Sequence, residues 1–510
     1  MTNLTDSKYW LDVTAEEIIK RYPKGEVIVS SGISPSASYH IGHYREIITA
    51  DALAWAVRER GRKARHIHVV DNFDPLRKRY DFLPKKYEKY VGWPICLVPD
   101  PNGDCHKSYA EHFFGEFQQY FEPMGIKAEV VRSYEELYKT GRMTSYIEKV
   151  IQHVQEIKGI FEKLANRSLP KDWLPVSLIG ENNKLIRATK DSWDQTAKTL
   201  GGIKYDDGRA KLDWRLDWPA RWAELGVDVE PFGMQEHGAA GGSYETGAEF
   251  CRHIFGAEPP YDAGRYGHIH LAGEAKKMSS SYGKIITPKE ALEIMPPEIL
   301  RYFIVRSRPE KKLQFDSGIG LANLIDEFAA AGSDEGHEFR DAYEFAVAGN
   351  KDQVISTIPF KHLVSVYQAA KRDEPETLEI LRRTDYEEAV KAEADVIKRE
   401  LKFAGNWLNK YAPEEIKLEL QEKMPKIDLS SGQKQFLTKL ADLVEAKKAA
   451  SGQDMHELIY QAKDEADLAP QEAFQAIYRV ILGKDYGPKA GWFLASLDSK
   501  WLVGRLRFEA

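Results

Sequence analysis

A short stretch of small and polar residues carries several groups that can bind a phosphate-bearing ligand. It runs from Ser30 to His43 and holds His40, Gly42 and His43 at its end. Small residues let a ligand approach the backbone closely, and the start of a following helix offers free N–H groups to phosphate. The two imidazoles add further donors, and Gly42 leaves room for a flat base. The stretch therefore predicts a nucleotide site.

A second stretch, Lys276-Lys277-Met278-Ser279-Ser280-Ser281, offers ammonium groups and hydroxyls on a predicted loop. Alone, either stretch is a weak signal, because His-x-x-His is more often structural. Together and in this order, they resemble the two signatures of class I aminoacyl-tRNA synthetases. The resemblance implies that His40, His43 and Lys277 are catalytic. The ATP contacts that it implies are Gly32, Pro35, Gly42, Met278, Ser279, Ser280 and Ser281.

The elements that must position the first stretch follow from its flanks. Glu26 to Val29 is apolar and β-branched, which predicts a strand, and residues 44–60 carry apolar residues at helical spacing. Residues 64–71 predict a second strand, so the spacing indicates a parallel βαβ unit. Asp71 and Asp74 come where that strand ends. Ligands of open parallel sheets bind at this end, so both acids are candidates for a site.

The rest of the chain divides by pattern. A helix is predicted over 109–120, a strand over 126–131, helical segments over 134–170 and a small β-rich insertion over 171–213. A last strand over 266–271 leads to the second stretch, and residues 320–510 are helical in pattern with no strand run. The sequence therefore predicts an α/β region followed by an all-α region.

Composition limits the class of protein. The chain has 510 residues, 43% of them hydrophobic and 30% charged, which is too long for one core and typical of two or three globular domains. No apolar run approaches the roughly 18 residues of a membrane helix, and the N-terminus lacks a signal peptide's apolar core. The net charge of −7 neither favours nor excludes a nucleic-acid partner. We expect a cytoplasmic protein without a membrane partner.

The cysteines predict neither a disulfide framework nor a metal site. Cys96, Cys105 and Cys251 are scattered, and no Cys-x-x-Cys pair occurs. Cys105, His106 and His112 lie near one another in sequence, but capping and packing are the favoured explanation. The same holds for His66 and His68, which share one face of a predicted strand. We therefore expect no zinc.

Five further segments narrow the resemblance. They are Arg65–His68, the Trp-Arg-x-Asp-Trp-Pro-x-Arg-Trp segment at 214–222, Asp228–Pro231, Gly242–Gly247 and Leu482–Phe493. Together they resemble class I lysyl-tRNA synthetase over nearly the whole chain. The resemblance implies a Rossmann-type nucleotide-binding domain and a cage-like helical domain. The boundaries we expect are 1–135 for the first Rossmann half, 136–213 for the insertion, 214–319 for the second half with the Lys-Met-Ser loop and stem-contact region, and 320–510 for the anticodon-binding domain.

The resemblance also implies an activity. It is the ATP- and Mg²⁺-dependent activation of L-lysine to lysyl-adenylate, followed by transfer to the 3′-terminal adenosine of tRNA(Lys), by a monomer. The lysine pocket that it implies is Gly32, Ser34, Trp218, His237 and Tyr266. An acid must neutralise the lysine ammonium, because an unpaired buried charge is costly. Asp71, Asp74 and Glu236 are the candidates, and the sequence does not rank them.

Two alternatives remain at this stage. One is a synthetase of the same subclass for another amino acid such as glutamate, whose pocket would need an arginine where this chain has acids and aromatics. The other is a non-aminoacylating nucleotidyltransferase or RNA-binding paralogue. The two intact signatures and the long helical region argue against the second alternative.

Overall fold

A computed structural model describes residues 9–103, 105–274, 278, 285–350, 352–421, 423–447 and 451–509, without the side chain of residue 236. The chain forms two compact units. The first comprises Met1–Ala291, Leu300–Phe315 and Glu344–Ala348. The second comprises Leu292–Ile299, Asp316–Tyr343 and Gly349–Ala510.

Helices and strands alternate through the first 315 residues. In chain order they are α1 Trp10–Arg21, β1 Val27–Ile33, α2 Tyr44–Glu59, β2 Ala64–Val70, α3 Tyr109–Gln118, β3 Ala128–Arg132, α4 Thr144–Gln152, α5 Val154–Ala165, β4 Val176–Ile179, β5 Leu185–Arg187, β6 Trp193–Asp194, β7 Thr199–Leu200, β8 Ile203–Lys204, β9 Ala210–Leu212, α6 Trp214–Leu225, β10 Phe232–Gly233, α7 Met234–His237, α8 Ser243–Phe250, β11 Arg265–Tyr266, β12 Ile269–Leu271, α9 Pro288–Ile294, α10 Pro297–Val305 and β13 Leu313–Phe315.

A parallel sheet organises the first unit. Its strand order is β1-β2-β3, with Val27 opposite Ala64 and His66 opposite Ala128. Single parallel bridges continue it on the other side of β1, from Val29 to Val229 and from Val229 to Tyr261. Helix α2 connects β1 to β2 and is buried along most of its length. The predicted βαβ unit is therefore confirmed, and its strands all end at one edge of the sheet.

The insertion is built from two small antiparallel sheets, as its turns and short apolar runs predict. One has the order β5-β4-β9 and the other β6-β7-β8. Their apolar residues join the same buried cluster as α4, α5 and α6. The insertion therefore contributes β9 to a buried core that it shares with strands of the parallel sheet. This strand carries Lys211.

The second unit contains only helices among its described residues beyond residue 315. In chain order these are α11 Ile319–Ser333, α12 Arg340–Val347, α13 Phe360–Ala369, α14 Glu374–Arg383, α15 Glu387–Lys410, α16 Ser431–Lys447, α17 Gly452–Glu465, α18 Pro470–Leu482, α19 Ala490–Ala495 and α20 Ser499–Leu506. Residues 344–348, at the end of α12, belong to the first unit. Two apolar clusters form the core of the second unit.

One strand prediction needs correction. The run 266–271 is not a single strand, because β11 pairs with β10 and β12 pairs with β13 in a different sheet. Gly267 and His268 separate the two strands. A Cβ atom on Gly267 would lie 3.1 Å from the Glu310 carbonyl oxygen, so the chain passes too close to another backbone segment to stay in one sheet. Among the described residues, no helix is both long and apolar enough to span a bilayer.

Candidate active site

One cavity gathers most of the residues predicted to bind lysine. It has a volume of about 410 Å³ and lies at the carboxyl ends of β1 and β2. Seven of the eight predicted residues line it, namely Gly32, Ser34, Asp71, Asp74, Trp218, His237 and Tyr266. The side chain of the eighth, Glu236, lies outside the described part of the chain. Residues that are far apart in sequence therefore share one cavity.

The first signature forms a tight turn between β1 and α2. Ile41–His43 is a single 3₁₀ turn, and the Gly42 N–H donates to His40 Nδ1 at 3.1 Å. Since this nitrogen accepts, the ring proton of His40 lies on Nε2. His43 Nδ1 lies 3.1 Å from the His40 nitrogen and 3.2 Å from its carbonyl oxygen, so either tautomer of His43 fits. The two ring centroids are 4.1 Å apart, which presents two imidazoles side by side.

Close backbone approach explains two of the predicted ATP contacts. A Cβ atom on Gly32 would lie 3.2 Å from the Val69 carbonyl oxygen, so β1 and β2 leave no room for a side chain there. Pro35 is buried in the loop that follows β1. The loop thus keeps a fixed path from the strand to the histidine turn.

Only Met278 of the second signature lies within the described residues. Met278 is buried, and its Cε would lie 3.7 Å from a Cβ atom placed on Gly42. The Ile41 N–H donates to the Ile286 carbonyl oxygen at 2.9 Å. The two signatures therefore meet at the histidine turn. The predicted residues Lys277, Ser279, Ser280 and Ser281 lie outside the described residues.

Asp71 and Asp74 lie in an ionic cluster with cations of this chain. Lys211 Nζ is 3.8 Å from Asp71 Oδ1, 3.2 Å from Asp74 Oδ1 and 3.5 Å from Asp217 Oδ2. Arg221 contacts Asp71 at 3.5 Å and Asp217 at 3.4 Å. The buried Asp217, the partly buried Asp71 and Asp74, and two buried cations therefore form one cluster along the wall of the cavity.

The cluster alters the pKa values of its members. Burial raises the pKa of Asp71, but Lys211 and Arg221 outweigh it and hold that pKa below its usual value. For Asp74, burial and the neighbouring Asp71 charge raise the pKa. The pKa of Lys211 lies well above its usual value, because the three carboxylates outweigh the effect of burial. The protein therefore already supplies positive charge to Asp71 and Asp74, two of the three predicted ammonium partners.

The sequence interpretation missed Glu46, which faces two of the predicted lysine contacts. Its Oε1 accepts from the Gly32 N–H at 2.6 Å and its Oε2 from the Tyr266 hydroxyl at 2.6 Å. Glu46 lies on the first turn of α2 and lines the cavity. Glu46 lies one helical turn beyond His43, and this spacing is the sequence signal that could have identified it.

A second missed carboxylate is Glu230, which is 6% exposed. Trp218 Nε1 donates to it at 2.9 Å and Trp222 Nε1 at 2.7 Å. Burial raises the pKa of Glu230, and the two indole donors partly offset that rise. Glu230 therefore fixes both indole rings, and Trp218 in turn lies 4.9 Å from the His237 ring centroid.

A separate cluster of four side chains could hold a metal ion. One ligand atom from each of Asp100, Cys105, His106 and His112 lies within 4.8 Å of the others. Cys105 Sγ donates to Asp100 at 3.0 Å and lies 3.4 Å from His112 Nδ1. Thiolate, imidazole and carboxylate are the ligands that zinc takes in proteins. The expectation of no zinc remains a prediction, and this cluster is the place to test it.

The fold and the site define the class of protein. Within a parallel βαβ unit, β1 leads into the histidine turn. Met278 of the Lys-Met-Ser stretch packs against that turn. The family model for tRNA synthetases class I (K) matches residues 8–344. The chain belongs to this family, which confirms the predicted resemblance. It is thus an aminoacyl-tRNA synthetase, an enzyme that uses ATP.

Curated relatives match over nearly their full length. A lysine--tRNA ligase from Archaeoglobus fulgidus is 39% identical over 98% of this chain and 99% of its own. One from Methanosarcina barkeri is 39% identical over 98% of both chains. A third, from Thermococcus kodakarensis, is 34% identical over 98% of this chain and 99% of its own.

Proposed function

We propose that this protein attaches L-lysine to tRNA(Lys) in two steps, by way of lysyl-adenylate. The observation that carries the proposal is the cavity in which seven predicted lysine contacts meet. Similarity to lysine--tRNA ligases along the whole chain supports it independently. The catalytic domain would be a Rossmann-type fold, which the parallel order β3-β2-β1 and the bridges beyond β1 support.

In the first step, the lysine carboxylate attacks the α-phosphorus of ATP and expels pyrophosphate. The nucleophile is already ionised, so no general base is needed, and catalysis consists of positioning and charge stabilisation. His40 would donate from Nε2 to a phosphate oxygen, since its Nδ1 accepts within the turn. His43 would act beside it, and Lys277 would neutralise the leaving pyrophosphate. Gly42 would face the adenine, while Ser279 and Ser281 would hold the loop.

Mg²⁺ would arrive with ATP and offset the charge of its phosphates, because this ion is usually held by few protein ligands. The chemistry proposed for the cavity requires no zinc. In the second step a ribose hydroxyl of the terminal adenosine takes the lysyl group, and the family resemblance implies the 2′-OH.

The lysine ammonium would pair with Glu46. Lysine needs a carboxylate partner in the cavity, since a buried unpaired ammonium is costly. Lys211 and Arg221 already compensate Asp71, and Lys211 lies 3.2 Å from Asp74. Glu46 lines the same cavity and accepts from the Gly32 N–H and the Tyr266 hydroxyl, two of the predicted lysine contacts. We therefore place the ammonium at Glu46 rather than at either aspartate.

The alternative substrate glutamate would need an arginine free to pair with a second carboxylate. Two arginines line the cavity, Arg77 and Arg221. Arg221 contacts Asp71 and Asp217, and Arg77 Nη2 lies 3.7 Å from Asp74. Acids outnumber arginines along the walls, which favours a cationic substrate.

We further propose that residues 320–510 read the anticodon, by contacts to unstacked bases. The test is to place the lysine anticodon in another tRNA, which should then be charged better. No improvement, together with no footprint on the anticodon loop, would reject this role.

The experiment that tests the main proposal is ATP–pyrophosphate exchange with each of the twenty amino acids, with and without tRNA. We expect exchange with lysine and with none of the other nineteen amino acids. It should be low without tRNA and rise with tRNA(Lys), because an induced fit uses tRNA-binding energy to assemble the site. Exchange with glutamate, or with no amino acid, would contradict the proposal.

A further inference from the structure

Residues 77–90, which we call the basic-aromatic segment, combine a high positive charge with four aromatic rings, one of which, Phe82, is exposed. Six cationic and two acidic side chains give it a net charge of +4 in a chain whose net charge is −7. Four aromatic residues alternate with the cations. Cationic groups interleaved with aromatic faces are what single-stranded nucleic acids bind, through phosphates and stacked bases.

Two rings of the segment form a ready platform. The Tyr80 and Phe82 rings lie parallel, with an interplanar angle of 5° and centroids 5.5 Å apart. Phe82 is 49% exposed, although it packs edge-on against Phe113 of α3. A half-exposed phenylalanine costs solvation and contributes little to a core. An unpaired base could cover it by stacking.

The lysines of the segment are placed to meet phosphates. Lys86 and Lys89 lie three residues apart on a 3₁₀ helix over Lys85–Tyr90, a spacing that aligns side chains on one face. Among the described residues, no carboxylate lies within 4.0 Å of the ammonium groups of Lys85, Lys86 or Lys89. By contrast, Arg79 in the same segment contacts Glu88 at 3.6 Å. Three adjacent lysines thus keep their charge for a ligand.

The segment is held in place at both ends. The Leu76 N–H donates to the Trp93 carbonyl at 2.8 Å, and the Gly92 N–H donates to the Leu76 carbonyl at 2.8 Å. Tyr87 is buried and its hydroxyl donates to the Asp100 carbonyl at 2.6 Å. Binding would therefore require little ordering of this loop, which favours affinity.

The segment also leads to the active-site cavity. Arg77 lines both the 410 Å³ cavity and a second cavity of about 570 Å³ beside it. Arg167, Arg187 and Arg215 line this second cavity as well. Arg215 Nη1 is buried without a hydrogen-bond partner, and burial and Arg167 lower the pKa of Arg215. An anion in the second cavity would satisfy that nitrogen.

We propose that the basic-aromatic segment binds the single-stranded 3′ end of the RNA substrate on its way into the active-site cavity. One unpaired base stacks on Tyr80 and Phe82, and the lysines bind the adjoining phosphates. The terminal ribose then passes Arg77. This inference rests on the proposed function only in naming the RNA as a tRNA.

The test compares two RNAs in equilibrium binding without ATP or lysine: tRNA(Lys), and the same tRNA without its unpaired 3′-terminal nucleotides. The wild-type protein should bind the intact RNA more tightly. The variant Tyr80→Ala/Phe82→Ala should bind the intact RNA about tenfold more weakly and lose the difference between the two RNAs. The swap Tyr80→Phe/Phe82→Tyr keeps both rings and should restore it.

A second pair of variants tests whether the lysines bind phosphates. It changes only exposed side chains, so that the variants should fold. Lys85 and Lys86 are exposed, so Lys85→Ala/Lys86→Ala should fold normally. The slope of log K against log salt should fall by about 1.4, for two single-strand phosphate contacts. The matched control Lys24→Ala/Lys63→Ala removes two exposed lysines that precede β1 and β2, at the opposite edge of the sheet. It should leave the slope unchanged.

Two outcomes would overturn the proposal. If the variants bind both RNAs as the wild type does, the segment takes no part in RNA binding. Variants that weaken both RNAs equally would show that it contacts the duplex. Failure of the proposed function is a separate result, because it would appear as absent lysine-dependent exchange in an enzyme whose RNA binding can still be measured.

Discussion

Two sides of the same cavity hold their carboxylates in different ways. On one side, Asp71 and Asp74 lie against Lys211 and Arg221, so their charge is matched by the protein itself. On the other, Glu46 accepts from a backbone N–H and a tyrosine hydroxyl. The two aspartates are therefore already matched by cations of this chain, whereas Glu46 lies directly against two predicted lysine contacts. This difference is the reason that we propose Glu46 as the ammonium partner.

The ionic side should matter most to stability. Lys211→Met removes the buried ammonium that three buried or partly buried carboxylates share, and breaking such a cluster costs about 3–5 kcal/mol. The free energy of unfolding by denaturant measures the loss. The matched control is Lys198→Met, which removes an exposed lysine of the same insertion and should cost less than about 1 kcal/mol. Similar losses in both variants would contradict the structural role.

The same cluster predicts a dependence on pH. The folded-state pKa of Asp71 is lowered, so its contribution is present above its unfolded pKa and is lost as the pH falls through the folded value. That loss should begin below about pH 4 in the wild type. Without Lys211 the pKa of Asp71 is lowered less, so the variant should lose less stability over this range.

The catalytic loop gives the next largest effect. Lys277→Ala should slow lysyl-adenylate formation a few hundredfold, because a charge-assisted contact to a transferring phosphoryl group contributes on the order of 3–4 kcal/mol. The KM for lysine should change little, since this contact forms in the transition state. Pre-steady-state adenylate formation with tRNA present measures both. Lys276→Ala is the control and should cost less than about 1 kcal/mol. Equal losses would reject the signature assignment.

Glu46 should govern the affinity of the enzyme for lysine. Glu46→Gln keeps a hydrogen-bonding group but removes the charge, and a hydrogen bond to a charged group contributes about 1.5–3 kcal/mol. The KM for lysine should therefore rise about ten- to a hundredfold, with little loss of stability. Asp74→Asn is the matched change on the ionic side and should affect stability more than the KM. A larger rise in KM for Asp74→Asn would show that the aspartates, and not Glu46, pair with the lysine ammonium.

The sequence could predict the parts of this site that are contiguous. The first signature, its strand and its helix lie within about one βαβ unit, and local pattern is enough to find them. The strand-end position of Asp71 follows in the same way. The partners of these residues do not follow. Lys211 reaches Asp71 from β9 of the insertion, and Tyr266 reaches Glu46 from a distant strand.

Long-range contacts also explain the other differences. The break between β11 and β12 depends on backbone packing at Gly267, which no local propensity signals. From sequence alone, capping and packing are the favoured explanation for Cys105, His106 and His112. These side chains converge because the Asp100 carboxylate accepts from both the Cys105 thiol and the His106 backbone N–H, which folds the loop back toward α3.

Asp100 extends the comparison to a third place in the first unit. Burial raises its pKa, but the Cys105 thiol and the backbone N–H groups of Asn102 and His106 outweigh burial and lower it. It is therefore an ionised carboxylate. Two imidazoles and a thiol accompany it, and this set of donors could hold a metal ion.

We therefore predict that the purified protein binds one zinc ion per chain at this cluster, contrary to the expectation from sequence. Elemental analysis measures the content, and Cys105→Ser should abolish it, whereas the control Cys251→Ser, which changes a buried cysteine outside the cluster, should not. Because the cluster closes a single loop onto α3, removing the metal should lower the melting temperature by only a few degrees, or about 1–2 kcal/mol. Binding requires deprotonated ligands, so affinity should fall as the pH is lowered. A metal-free protein with the same melting temperature with and without added zinc would show instead that the four side chains are held only by their own hydrogen bonds.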